Sequence, residues 1–153
     1  KDLGWNYRAS EINCALGLSQ LIRLPNIIEK RKKIATFYYN ELKYCSYISF
    51  PEEAFDEGTN AWHLFTIFIK FNSLKIKKAN LVKYLQLAGI GTQVHYIPIF
   101  KQAYYKSSNK LQYNGSNEYY EKSLSLPMYE TLKKKDIIYI CDIIKKIIEK
   151  YAV

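Results

Sequence analysis

Two stretches of this chain place side chains that bind ligands beside glycines. Gly4-Trp5-Asn6-Tyr7-Arg8 stands just ahead of Ser10, and far downstream comes Gly89-Ile90-Gly91-Thr92-Gln93-Val94-His95-Tyr96-Ile97-Pro98. Gly4 lets the backbone turn tightly, and Ser10 is a good N-cap, so Asn6 and Arg8 sit at the mouth of a helix. Unpaired N–H groups and partial positive charge gather there and suit a phosphate. Arg8 adds a forked donor matched to phosphate or carboxylate. On residue types alone, a capped loop and an anion site both remain open. In the second stretch, His95 offers two ring nitrogens to hydrogen-bond partners. No second ligand stands at a spacing that would make it a metal site. His63, in Trp62-His63-Leu64-Phe65, reads as a hydrogen-bonded core histidine on an apolar strand.

Hydrophobic spacing predicts the elements that must carry these groups. A first helix is expected over 10–23, apolar on more than one face through Ile12, Leu16, Leu18, Leu21 and Ile22. Such a helix needs neighbours on several sides, which assigns it to an interface with another domain or subunit. Gly17 within it is expected to mark a close helix contact. Pro25 suits the first turn of a second helix, with Ile34, Ala35, Tyr38 and Leu42 along its buried stripe. Residues 48–50 read as a short strand and 61–71 as a buried one. Lys77 or Asn80 opens a third helix, which Gly89 ends in a left-handed cap. Residues 92–96 read as a short strand, 101–115 as a loop, and 117–123 as a short helix before Leu124-Ser125-Leu126-Pro127. Ile137, Ile140, Cys141, Ile144 and Ile148 mark the most periodic helix. Lys133-Lys134-Lys135 opposes its dipole, and Asp136 offsets them. Helices and strands alternating over this length suggest a two-layer α/β sandwich with a small, mainly antiparallel sheet.

Composition bounds the function. The 153 residues are one domain's worth of chain, and no apolar run is long enough to span a membrane, so no membrane partner is expected. The chain starts at Lys1 without a charged-then-apolar leader, which leads to the expectation of an excised domain or fragment. Three cysteines without metal-type spacing argue against a disulfide framework and point to a reducing, cytoplasmic setting. A net charge of +9 and fifteen tyrosines could serve nucleic acid. The lysines are scattered over different elements, however, and no recognition motif accompanies them, so a solvated surface and no nucleic-acid partner are expected.

In this order and separation, the two stretches resemble the C-terminal part of the DegT/DnrJ/EryC1/StrS sugar aminotransferases. So do the run Glu11-Ile12-Asn13-Cys14-Ala15-Leu16-Gly17-Leu18-Ser19-Gln20-Leu21 and the later Glu29-Lys30-Arg31, Ile34-Ala35 and Tyr38-Tyr39. These are pyridoxal-phosphate enzymes that place amino groups on nucleotide-linked keto sugars. The resemblance implies the small C-terminal domain of the fold-type I (aspartate aminotransferase-like) enzymes, acting in a homodimer. It implies that Asn6 helps hold the phosphate of pyridoxal 5'-phosphate in the partner subunit's site and that Arg8 lies near the substrate. Trp5 and Ala9 depart from the family's usual residues there without touching either ligand. His95 and Tyr96 fall in the family's His-Tyr-x-Pro, close to the sugar-binding side. Tyr104, after Lys101-Gln102-Ala103, borders the same cleft, where hydroxyls on flat apolar rings suit a sugar face. Gly-Thr-Gln-Val-His-Tyr-Ile-Pro-Ile most resembles enzymes that aminate C4 of a UDP-linked 4-keto-6-deoxy hexosamine with glutamate as donor. Those enzymes serve surface-glycan pathways of the pseudaminic-acid type.

The family's Schiff-base lysine setting, Ser-x-x-x-Lys before Gly-Glu-Gly-Gly, is not found in this sequence, nor is the setting of the aspartate that pairs with the pyridine nitrogen. No catalytic residue is therefore assigned. The expected organisation is an interdomain or dimer-interface segment over 1–24 and a small α/β domain over 25–153. By itself this chain is expected to bind no cofactor and to show no transaminase activity. Two other readings stand beside this one: a degenerate remnant serving only as an interaction module, and a basic nucleic-acid-binding domain.

Overall fold

The computed structural model describes residues 4–51, 55, 60–105 and 113–153. The central strand β2 (Phe65–Ile69) pairs antiparallel on one side with β1 (Ile48–Ser49) and on the other with β3 (Ser123–Leu126). Its side chains alternate in burial because successive residues point to opposite faces of a strand. Phe65, Ile67 and Ile69 enter the core, and in β3 so do Leu124 and Leu126, the register partners of Ile67 and Phe65. The helices α1 (Glu11–Leu42), α2 (Lys78–Leu87) and α4 (Lys134–Tyr151) supply the rest of that core through Tyr38, Leu81, Leu85, Ile140 and Ile144. Tyr38 stacks on Phe65 at 4.8 Å and donates its hydroxyl to the Pro127 carbonyl at 3.1 Å. The result is the expected α/β layering with a small antiparallel sheet. The short helix α3 (Asn114–Lys122) lies over the other face of the sheet, where Tyr119 meets Phe68 edge-on.

Local signals hold where they were expected. Ser10 caps α1 by accepting from the Asn13 N–H, and Lys77 is the N-cap of α2. Gly89 takes φ +76°, a conformation open to glycine, and closes α2 with Ile90 donating to the Leu85 carbonyl. Asp136 accepts from the Lys133 N–H at the start of α4 and offsets the lysine run.

Several elements differ from the sequence reading. The helices expected before and after Pro25 are one continuous 32-residue helix, α1, with Pro25 inside it. A proline there removes a single backbone bond, the one to Leu21, at a cost of about 3 kcal/mol. Every other turn of the helix keeps its ladder, and an ion pair from Arg23 to Glu130 ties the turn ahead of the proline to the body. The buried strand expected over 61–71 contracts to Phe65–Ile69, and Asn60 holds the approach to it by accepting from the Trp62 N–H. The strand expected over 92–96 is a single bridge between Gln93 and Ser125. Leu124-Ser125-Leu126, given no element by pattern, is the fully buried β3. It is too short for periodicity to declare it, and it is covered on both sides only because β2 and Gln93 flank it. In the stretch expected to be a loop, Ala103–Tyr105 forms a 3-10 turn and α3 opens at Asn114, while 106–112 lies outside the described residues.

The core leads to two predictions. Ile67→Ala should cost about 2–5 kcal/mol, read as a lower urea midpoint, because Ile67 is fully buried at the centre of the sheet. Alkaline pH should also destabilise the fold. Burial pushes the Cys141 thiol from 9.0 up to about 12, and burial, followed by the charges of Cys141, Tyr129 and Asp136, raises the Tyr38 phenol. Both groups stay protonated in the fold when the unfolded chain would ionise them. The stability they confer is complete below pH 9 and is lost as pH climbs toward 12. Urea midpoints should therefore fall across that window, less steeply in Cys141→Ala, and a flat profile would contradict this account.

Candidate functional site

The expected ligand-binding residues fall in two separate regions. Asn6 and Arg8 lie on the exposed peptide that leads into α1, and neither side chain hydrogen-bonds to another described residue. Tyr7 between them is 87% exposed and sits at φ +50°, a left-handed conformation unusual for a residue with a Cβ. From Gly4 to Asn26 every residue of this arm is exposed, Trp5, Ile12, Leu16, Leu18, Leu21 and Ile22 among them. Among the described residues nothing lies within 4 Å of a Cβ built at Gly17, so the close helix contact expected there is not made with any of them. The first polar ties from the arm to the body are the ion pairs of Arg23 and then Lys30 with Glu130.

The second region is a cleft of about 730 Å³ between residues 96–100 and the start of α3. Tyr96, Pro98 and Phe100 form one wall, and Tyr113, Ser116 and Tyr119 form the other. Its walls are largely apolar, with tyrosine and serine hydroxyls set among them, a lining suited to a ring with polar substituents. Phe68 braces Tyr119 from the sheet side at 5.3 Å. Lys78 and Lys101 both approach the Tyr120 ring, at 4.6 and 4.9 Å. Lys78 donates to the Tyr120 and Ser123 carbonyls, so it fixes the C-terminal end of α3, while Lys101 pairs with Glu121. Burial lowers the Lys78 pKa, and Glu121 opposes that shift.

His95 stands half-buried behind this cleft. Its Nδ1 is 2.9 Å from the Ser125 hydroxyl, and that hydroxyl is 3.2 Å from Thr66 Oγ1. Its ring meets Tyr96 edge-on at 4.7 Å, which links it to the cleft wall. The structure thus brings His95 and Tyr96 together. Tyr104 is not among the cleft-lining residues; it is 86% exposed and packs edge-on against Tyr105 instead. His63 is exposed, which corrects the core reading, because the strand begins only at Phe65 and its alternation does not reach position 63. Ser125 and Thr66 carried no sequence signal of their own. Among the described residues no group of three or more His, Cys, Asp or Glu side chains could hold a metal. No helix among them is long and apolar enough to cross a membrane.

This α/β framework superimposes on parts of solved aminotransferases. Helicobacter pylori PseC, an aminotransferase involved in the biosynthesis of pseudoaminic acid, superimposes with a TM-score of 0.87 at 29% identity, over 99% of this chain and 40% of that one. A DegT DnrJ EryC1 StrS aminotransferase from Brucella abortus superimposes with a TM-score of 0.78 at 27% identity, over 95% of this chain and 38% of that one. The model of the DegT/DnrJ/EryC1/StrS aminotransferase family matches residues 1–145, and the chain belongs to that family. A UDP-4-amino-4,6-dideoxy-N-acetyl-beta-L-altrosamine transaminase of Campylobacter jejuni is 35% identical over 150 residues, and its Helicobacter pylori counterpart is 30% identical over 154. These matches cover 97% and 100% of this chain but 39% and 40% of the relatives. The chain therefore spans about two-fifths of the length of the curated relatives it matches.

Limited proteolysis reads the geometry of the arm. On the chain alone, trypsin should cut at Arg8 and then in the α1 segment ahead of Pro25, leaving a resistant body. Protection of that segment in a monomer would show that it finds cover within its own chain.

Proposed function

We propose that this chain is the part of a nucleotide-sugar aminotransferase that completes the active site around the sugar and the cofactor phosphate. The substrate class proposed is a UDP-linked 4-keto-6-deoxy hexosamine, with glutamate as amino donor. The observation that carries this is the exposed arm from Gly4 to Asn26. It holds Asn6 and Arg8 away from the chain's own core, next to an apolar surface that the chain leaves uncovered. An exposed tyrosine at φ +50° costs on the order of 1 kcal/mol or more, which a surrounding surface would have to hold in place. A second copy of the protein, related by a two-fold axis, is the surface proposed.

The residues present fit one end of pyridoxal 5'-phosphate. An amide and a guanidinium ahead of a helix N-terminus suit its phosphate, and no lysine here has the family's Schiff-base setting. When bound, that cofactor supplies the electron sink for amino transfer. Asn6 would donate to the phosphate and so fix the cofactor's depth in the site, and Arg8 would meet an anionic group of the substrate. The opposed cleft walls carrying Tyr96 and Tyr119 would seat the sugar ring and shield it from water, with His95 hydrogen-bonding to one of its oxygens. The Campylobacter jejuni and Helicobacter pylori relatives, with their shared altrosamine transaminase names, support this substrate class.

The coding sequence immediately upstream offers a direct test. A cofactor-lysine domain in frame supports the enzyme reading, and a stop codon overturns it. In the protein carrying that domain, Asn6→Ala should weaken cofactor binding about 10- to 100-fold, as expected for one hydrogen bond to a charged group. An unchanged cofactor affinity would remove Asn6 from the site.

A further inference from the structure

We infer that Glu130 is a positioning residue whose carboxylate grips α1 on both sides of Pro25 and so sets the direction in which the arm carries Asn6 and Arg8. The consequence for cofactor binding rests on the function proposed above. The grip itself rests on geometry alone.

Pro25 is the weak point of α1. It donates no backbone bond to Leu21, and kinks in long helices gather at proline. Beyond it Ile34, Ala35, Tyr38 and Leu42 bury the helix in the core, whereas every residue from Gly4 to Asn26 is exposed. Contacts at the proline turn therefore decide where the arm points. The rise from Pro25 to Glu11 is about 21 Å, so a tilt of about 10° at the proline would carry the tip sideways by about 4 Å. A hydrogen bond tolerates about 0.5 Å. An arm that presents Asn6 to an anion needs its angle fixed.

Glu130 stands where it can fix that angle. Arg23 lies ahead of Pro25 and Lys30 beyond it, about two turns apart on one side of the helix. Arg23 reaches Oε1 and Lys30 reaches Oε2, each at 3.4 Å, so one carboxylate spans the proline turn. The base of Glu130 is firm. Buried Leu132 donates to the Tyr129 carbonyl at 3.1 Å and closes the turn that holds Glu130, and Tyr38 donates to the Pro127 carbonyl just before it. The Glu29–Lys33 pair, by contrast, spans neither the proline nor the gap to the body. Without Glu130, Arg23 and Lys30 would face one turn as like charges with no anion between them. Exposed pairs are individually weak and shift an equilibrium about 1.5- to 5-fold. Choosing among the directions of an otherwise unsupported arm asks for no more.

Distances between two spin labels, read by pulsed electron resonance with no cofactor or sugar added, test the grip. One label goes on the exposed Cys14 of the arm and one on the body at Lys83→Cys, with Cys45→Ser in the background and Cys141 buried. Labelled molecules are diluted into unlabelled ones. The distance distribution should be narrow, and Glu130→Gln should widen it about 2-fold, as release at a proline hinge would. Arg23→Gln should widen it as much, and the two together no further, because both remove one tie. Lys33→Gln, which leaves the Glu130 pairs in place, should not change it. A distribution already broad, or one that either Glu130→Gln or Arg23→Gln leaves unmoved, would overturn the inference. In the protein carrying the cofactor-lysine domain, Glu130→Gln should weaken cofactor binding about 2- to 5-fold, and Asn6→Ala should erase that difference. An arm freed by Glu130→Gln with cofactor affinity unchanged would cut Glu130 from the site. Should Asn6→Ala also be silent, the proposed function fails and the grip stands.

Discussion

The pairing of β2 with β3 is the constraint on which the rest of the molecule depends. One register sets two faces at once. Phe65 and Ile67 with Leu126 and Leu124 form the floor of the core, while Thr66 with Ser125 and Phe68 with Ser123 form the opposite face. A slip of one residue would exchange the two faces, placing hydroxyls in the core and leucines behind the cleft. The core side holds α1 and α4 in place through Tyr38 and Ile144. The opposite side seats α3 against Phe68 and anchors His95 on Ser125. The apolar core and the polar support of the cleft are thus two sides of one sheet.

The second physical theme is surface left without cover. Burying a single Leu or Ile side chain stabilises by roughly 1.5–3 kcal/mol, and the arm ahead of Pro25 exposes Ile12, Leu16, Leu18, Leu21 and Ile22 together. A helical segment of that length is marginal in water without tertiary support. The body needs none of this surface, since its own core is closed by α1 beyond Ile34, α2, α4 and the sheet. The same peptide carries Asn6 and Arg8, so the side chains suited to an anion stand at the tip of the least supported element. Low local stability and anion-suited side chains coincide there.

Much of this was legible in the residues themselves. Ser10, Gly89 and Asp136 act through bonds to their immediate neighbours, so the sequence alone determined the cap of α1, the left-handed end of α2 and the relief of the lysine run on α4. The three- and four-residue spacing of Ile137, Ile140, Cys141, Ile144 and Ile148 determined the buried face of α4 in the same way. The motifs around Asn6 and His95 carried the family, because a family is recorded in residue identity rather than in geometry. Only the tertiary structure decided the remainder. It joined two expected helices across Pro25, a continuity that the local signal of a proline does not announce. It made a strand of Leu124-Ser125-Leu126, whose burial comes from β2 and Gln93 on either side and from no periodicity of its own. It put His63 in solvent, Tyr104 outside the cleft and Ser125 beneath His95, because which side chains meet depends on register between distant segments, and no local rule contains that register.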